Sequence, residues 1–428
     1  MERTWTADLA LKTGMPVLVK GWLHRLRALS NVSFLVLRDA RGLAQVVVTD
    51  RDTRTLLAGL HSESVLEVRG EAVAVDQAPG GVEIRSPEVT VLSRAAGASP
   101  IELFRPLTNA SLPALLDHAA VALRHPTRRG HFEIAAAALH GFRSTLGENG
   151  FIEVNTPKIV GSATEGGANV FKVDYFGRPA YLAQSPQLYK QTLVGVFERV
   201  FEVGPVFRAE PHDTPRHINE YVSLDIEMGF IDDHLTVMRM LREVVSGMLA
   251  AIGERTPAAI ARLAKPLPAI PDEIPSLPFS EALKLVGAPP EEPDLAPAQE
   301  IALGEWALRE HGSEFLFVTG YPLAKRPFYT HPDPSQPGVS NSFDLLFRGL
   351  EVVTGGQRLH LYEDYLRALA QRGLSAEPLA GYLEAFRHGM PPHGGFAIGL
   401  ERFIARLAGV ANIREVTLFP RDLNRVSP

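Results

Sequence analysis

The sequence predicts an α+β protein preceded by a small all-β module, and three observations lead there. Residues 15–92 contain five short β-rich runs separated by Gly, Asp, Asn and Pro. From residue 131 onward, helical patterns alternate with strand–loop segments, the mark of an α+β arrangement. No internal repeat and no run of about 18 apolar residues interrupts this order, so no membrane span is expected.

The five runs are VLVKGWLHRL, SFLVLRDA, LAQVVVTD, SVLEVRGEAVAV and GVEIRSPEVTVL. Five strands at this spacing suggest a Greek-key barrel of OB type, although strand number alone leaves other small barrels or sandwiches open. Residues 66–70 and the APGG stretch at 78–81 fit its hairpins. Small and proline-rich residues from 93 to 130 read as a connector. The expected domains are therefore 1–95, a hinge over 96–130, and a second domain over 131–428. In that domain an apolar-faced helix runs from 131 and stops at Gly150. Residues 235–252 and 361–373 are amphipathic helices. The Pro-rich stretch 265–298, within a region near 255–300, is expected to be an excursion outside the core.

The 428 residues are enough to bury large cores in two or three domains. A hydrophobic share of 45% with 21% charged residues describes an ordinary globular chain. Cysteine is absent, which excludes disulfides, thiolate catalysis and cysteine–zinc sites and fits a cytoplasmic enzyme. The N-terminal stretch carries charges and lacks the apolar core of a signal peptide. A formal charge of −6 argues against a protein that coats nucleic acid indiscriminately; a nucleic-acid partner would need local basic patches.

The stretch FEVGPVFRAEPHDTPRHINEYVSLDIEM (201–228) carries the most chemical information. Two alternating segments flank a polar tip. Strand periodicity puts Phe207 and Ala209 on one side, with Arg208 and Glu210 on the other. Beyond the tip come Arg216, His217 and Glu220, after which Asp225 and Glu227 alternate with Leu224, Ile226 and Met228. Charges repeated along one face call for a charged ligand or for a solvated face with cross-strand ion pairs. FRAE, a short loop and RH resemble motif 2 of the class II aminoacyl-tRNA synthetases. GGFAIGLERFIARLAG (394–409) is similar to motif 3, with Ala397 where a glycine is usual. ENGFIEVNTPKIV (148–160) resembles motif 1. Each string alone has a bland explanation, but the three occur in the family's order.

The resemblance implies an antiparallel sheet flanked by helices, ATP held in a bent shape, and a homodimer with Pro157 at its interface. It places Arg208, Ala209, Glu210, Arg216, His217, Ile218, Glu351, Gly399, Leu400, Glu401 and Arg402 around ATP. In-line attack of a carboxylate on the α-phosphate needs charge neutralisation and alignment rather than a protein nucleophile. Arg208, Arg216 and Arg402 suit that work, because a guanidinium stays charged and forks onto two oxygens. Mg²⁺ would be held by Glu351 and Thr354 in SFDLLFRGLEVVTGGQR, on a strand running into a Gly-Gly turn, with Asp344 upstream. Asp344 could equally be a structural hydrogen-bonder.

QSPQLYKQ (184–191) looks like the aspartyl branch of the family. The resemblance gives aspartate the residues Glu165, Gln187, Lys190, Arg208, Asp225, Thr354 and Arg358. Lys190 and Arg358 would hold its side-chain carboxylate, and Glu165, in a loop with Gly166 and Gly167, would lie near its ammonium. Two cations reject a neutral amide, which would leave buried charge unpaired. In the barrel, His24, Arg27, Phe34, Gln45 and Pro79 take anticodon-recognition positions, with Phe34 stacking and Gln45 bonding the central base. His24 and Pro79 stand where discriminating members carry Trp and Lys, which implies charging of both tRNA(Asp) and tRNA(Asn) and an amidotransferase downstream. Leu115 and Ala119 replace common arginines in the connector. The alternatives are a strictly tRNA(Asp)-specific enzyme, an asparaginyl-tRNA synthetase, a catalytically silent paralogue and a stand-alone asparagine synthetase.

Overall fold

The computed structural model describes residues 1–106, 108–161 and 169–427. The chain forms two compact units, Met1–Pro126 and Thr127–Pro428.

In the first unit β1 (Pro16–Ala28), β2 (Ser33–Arg38), β3 (Leu43–Val48), β4 (Val65–Ala74) and β5 (Val82–Ser93) close into a barrel in the order β1-β2-β3-β5-β4. Inward positions alternate as strand geometry demands: Val17 and Val19, Leu35 and Leu37, Val46 and Val48, Leu66 and Val68 form its core. The five runs read from the sequence are these strands. A helix between the third and fourth, α1 (Arg51–Ala58), was not foreseen, although Asp50 caps it by accepting from the Thr53 amide. Residues 66–70 lie inside β4, and the hairpin turn is the one at 79–81. Short α2 (Leu112–Asp117) and α3 (Ala119–Ala122) follow; Leu115 and Ala122 pack with Ile101 and Leu103.

The second unit opens with α4 (Pro126–Glu148), β6 (Ile152–Glu153), β7 (Ile159–Val160), β8 (Lys172–Tyr175), β9 (Arg178–Leu182) and α5 (Gln187–Phe197). Then come β10 (Arg199–Phe207), β11 (Glu220–Gly229), α6 (His234–Arg255), α7 (Pro257–Ile260), β12 (Ser276–Pro278), α8 (Phe279–Leu285) and α9 (Pro297–His311). The rest is β13 (Phe315–Thr319), β14 (Ser342–Phe347), β15 (Glu351–Arg358), α10 (Tyr362–Gln371), α11 (Ala380–Arg387), β16 (His393–Gly399) and α12 (Leu400–Ala408). Eight strands form one sheet, β12-β13-β14-β15-β16-β11-β10-β6, and β7-β9-β8 form a small second one. The large sheet is antiparallel except at its two edges, where β12 and β6 run parallel to their neighbours.

Period two divides this sheet into an apolar and a polar face. Leu224, Ile226, Phe343, Leu345, Phe396 and Ile398 are buried in a core shared with α4, α6 and α12. The residues between them point the other way. Asp225 pairs with Ala397, Ala397 with Thr354, and Thr354 with Asp344, one polar row across four strands. Two expectations fail here. The Pro-rich stretch is partly core: β12 completes the sheet edge, and Leu277, Phe279, Ala282 and Leu283 are buried against Leu316 and Val318. Its prolines fall in loops, on an edge strand or at the first position of α9, where a missing N–H is tolerated. Gly355-Gly356 is not a turn but the middle of β15. A Cβ on Gly355 would run into the Phe343 ring, and one on Gly395 into the Ile226 carbonyl and the Glu227 carboxylate.

Candidate active site

The polar face forms the floor of a cleft of about 320 Å³. Arg208, Glu210, Arg216, His217 and Ile218 reach it from the β10–β11 hairpin, and Glu351, Thr354 and Arg358 from β15. Gly399, Glu401 and Arg402 close one side, and Gln184, Gln187 and Asp225 line another. Four of the expected ligand-binding arginines therefore share one cavity. Ala209 and Leu400 do not line it. β10 ends at Phe207, so strand alternation no longer governs Ala209, and Leu400 turns into the apolar core. Glu165 lies outside the described residues.

Lys190 sits behind the floor, nearly sealed from solvent. Its Nζ is 2.9 Å from Asp225 Oδ1 and 3.5 Å from Glu227 Oε2. Arg358 Nε donates to Glu227 Oε1 at 2.9 Å, and its Nη2 to the Gly395 carbonyl at 3.0 Å. Gln187 Nε2 donates to Glu227 Oε2 at 3.2 Å. Burial pushes the Glu227 carboxyl up, but the Arg358 and Lys190 charges outweigh it and hold it below the usual carboxylate range. Two cations and two carboxylates thus neutralise one another in the dry floor. Arg358 also borders the cleft, whereas Lys190 reaches it only through Asp225.

On the opposite side, Thr354 Oγ1 donates to Glu351 Oε1 at 3.0 Å. A carboxylate and a hydroxyl are hard oxygen donors suited to a divalent ion that completes its shell with phosphate and water. Asp344, wholly buried, accepts at Oδ2 from Arg326 Nη2 at 2.8 Å, and burial, partly offset by Arg326, raises its carboxyl to about 6. His217 Nδ1 is 2.6 Å from Thr214 Oγ1; burial and then the Arg402 charge lower its pKa. Both Glu401 oxygens accept from the Val222 amide at 3.1 Å, and burial raises this carboxyl to about 7. Glu401 therefore ties α12 to β11.

His393, in β16 at the edge of this network, carries a pH prediction. Its Nδ1 faces the Pro391 carbonyl at 2.9 Å and its Nε2 the Gln191 amide nitrogen at 3.1 Å, partners that assign a neutral ring protonated on Nδ1. Burial lowers its pKa from 6.5 to about 4. The unfolded chain binds this proton more readily, so stability is complete above pH ~6.5 and is lost as pH falls toward 4. Between pH 7.5 and 5 this group costs about 2 kcal/mol. Urea midpoints at both pH values should fall less steeply for His393→Gln than for the parent.

On the barrel, register places Arg27, Phe34 and Val47 in one outward row and Val36, Gln45 and Glu83 in the next. The Arg27 guanidinium lies 5.9 Å from the Phe34 ring centre, and Gln45 Nε2 donates to Glu83 Oε2 at 3.1 Å. Pro79 is exposed at the β4–β5 connection. His24 is enclosed rather than exposed. It stands at a bulge in β1 and is buried, with Arg38 3.0 Å from its Nδ1 and Arg38 forked onto Glu63. Burial, then Arg38, lowers its pKa to about 4.

Residues 112–423 match the class II tRNA synthetases (D, K and N), and residues 17–92 match the OB-fold nucleic acid binding domain. An aspartate–tRNA(Asp/Asn) ligase of Thermus thermophilus is 46% identical, with all of both chains aligned. One of Deinococcus radiodurans is 44% identical over all of this chain and 99% of its own. The solved asparaginyl-tRNA synthetase of Pyrococcus horikoshii, complexed with asparaginyl-adenylate, superposes with a TM-score of 0.92 at 29% identity over both full chains. The chain belongs to the class II tRNA synthetases of the D, K and N group. As a synthetase of this class it is an enzyme that uses ATP and has a tRNA partner. Among its described residues, no helix is long and apolar enough to cross a membrane.

Several groups of this synthetase's cleft escaped the sequence reading. Arg326 lines it and stacks on Tyr321 at 4.0 Å while pairing with Asp344. Glu300, in the first turn of α9, meets Arg216 and the Glu351 amide. Arg414 braces the β10–β11 hairpin, donating to the Thr214 carbonyl and to Asp213, each at 3.0 Å. Only Arg326 had a local signal, the basic pair of AKRPF.

Proposed function

We propose that this synthetase activates L-aspartate with ATP and esterifies it to tRNA(Asp) and tRNA(Asn). The observation that carries the reading is the convergence of Arg208, Arg402 and Glu351 on a cleft whose floor holds Lys190 and Arg358. Arg208 neutralises the α-phosphate as the aspartate carboxylate attacks, and Arg402 steadies the far end of the nucleotide. Glu351 and Thr354 would hold Mg²⁺, which supplies charge neutralisation at the phosphates. Arg358, with Lys190 behind it, meets the substrate's side-chain carboxylate. Asp225 offers its charge to the ammonium, the role that the family resemblance also gives Glu165. The curated relatives' aspartate–tRNA(Asp/Asn) ligase activity supports this assignment. A homodimer through the Pro157 region and an amidotransferase that converts Asp-tRNA(Asn) complete the proposal.

The likeness to the Pyrococcus horikoshii enzyme keeps a second reading, asparagine activation. Pyrophosphate exchange with each amino acid separately decides between them: exchange with asparagine alone refutes the proposal. Charging purified tRNA(Asp) and tRNA(Asn) at matched concentrations tests the dual specificity, and only the first being charged would end it. On the barrel, Phe34→Ala should weaken tRNA binding by about 1–3 kcal/mol, measured by filter binding. Aspartate-dependent exchange should be unchanged in that variant.

A further inference from the structure

Glu300 stands between two parts of the cleft that come from distant sequence. Its Oε1 accepts from Arg216 Nη2 at 2.9 Å, and its Oε2 accepts from the Glu351 backbone N–H at 2.9 Å. The carboxylate itself is almost fully buried (4% exposed), whereas Arg216 borders the cleft and is 28% exposed. The Arg216 Nε, also buried, has no hydrogen-bond partner among the described residues. An arginine anchored by one nitrogen, with part of its guanidinium open at a cavity wall, is placed to receive an anion. The helix that carries Glu300 is itself closely placed. A Cβ on Gly304 would strike the Gly349 backbone, and one on Gly349 the Ile301 backbone, so α9 and the β14–β15 turn meet backbone to backbone and cannot move closer.

We propose that Glu300 is a positioning residue that fixes Arg216 relative to Glu351 and so sets the seat of the ATP triphosphate. The inference rests on the ATP-dependent reading above and deepens it. An amide could not replace the carboxylate here. Both partners are donors, and glutamine has one acceptor oxygen where glutamate has two.

Glu300→Gln is therefore expected to weaken ATP binding about tenfold by calorimetry and to raise KM for ATP by a similar factor. The kcat should stay within about threefold, and KM for aspartate should not move. If Glu300 acts through Arg216, adding Glu300→Gln to Arg216→Met should change ATP affinity by less than about twofold. A kcat loss with unchanged ATP affinity, or an undiminished second effect in the Arg216→Met background, overturns the proposal. Should the glutamine variant not fold, Glu300→Asp is carried through the same pair of backgrounds under the same criteria. Calorimetry with ATP needs no amino acid, so exchange with the wrong amino acid would sink the aspartate reading without touching this result. Absence of ATP binding in the parent protein would sink both.

Discussion

Lys190→Met is expected to destabilise the catalytic unit by about 3–5 kcal/mol and to lower aspartate activation more than ~100-fold. The ammonium lies between Asp225 and Glu227 in a floor almost without solvent, and its removal leaves negative charge buried with only Arg358 to offset it. Denaturant unfolding measures the first effect and pyrophosphate exchange the second. A companion variant isolates the stability effect, since Asp225 also faces the substrate. Lys190→Met with Asp225→Asn removes the uncompensated charge, so stability should recover substantially while exchange stays low. Recovery of both would make Lys190 a purely structural residue, and unchanged exchange in the single variant would contradict its role in substrate choice. ATP affinity, which depends on the other end of the cleft, should be near the parent's in both.

Arg208→Ala is expected to reduce kcat for aspartate-dependent exchange about 10²–10³-fold, the loss typical of a preorganised charge aimed at a developing oxyanion. Its side chain is 42% exposed, so the fold should tolerate the change. The backbone around it is held independently: the Arg208 amide donates to the Asn219 carbonyl at 2.8 Å, and Asn219 Nδ2 returns a bond to the Arg208 carbonyl at 2.7 Å. Thermal unfolding within a degree or two of the parent, with a collapsed kcat, is the expected pair of results. A variant that keeps kcat but loses ATP affinity would move Arg208 from transition-state stabilisation to ground-state binding.

The barrel was legible because each strand alternates apolar and polar residues, and turn residues mark its ends. The hairpin carrying Arg208 and Arg216 was legible for the same reason, up to Phe207, where the strand stops and alternation loses meaning. Arg358 and Lys190 were readable as individual cations, but their pairing with Glu227 and Asp225 depends on strands brought together by sheet order. Glu300 left no local trace, since its partners are 84 and 51 positions away. The Pro-rich stretch misled because proline density masked Leu277, Phe279 and Leu283, whose spacing already hinted at a buried strand and helix turn. The burial of His24 left no local trace, since it stands at a bulge in β1 and its partners Arg38 and Glu63 come from distant sequence.

The glycines of β15 and β16 have a consequence for how such an enzyme can change its diet. Where adjacent backbones and a carboxylate already occupy the room a methyl group would need, the base of the pocket cannot be reshaped by substitution. New amino-acid preferences, whether reached by drift or by engineering, would have to be written into the side chains set among these glycines, at Gln187, Lys190 and Arg358, while the glycine backbone stays as it is.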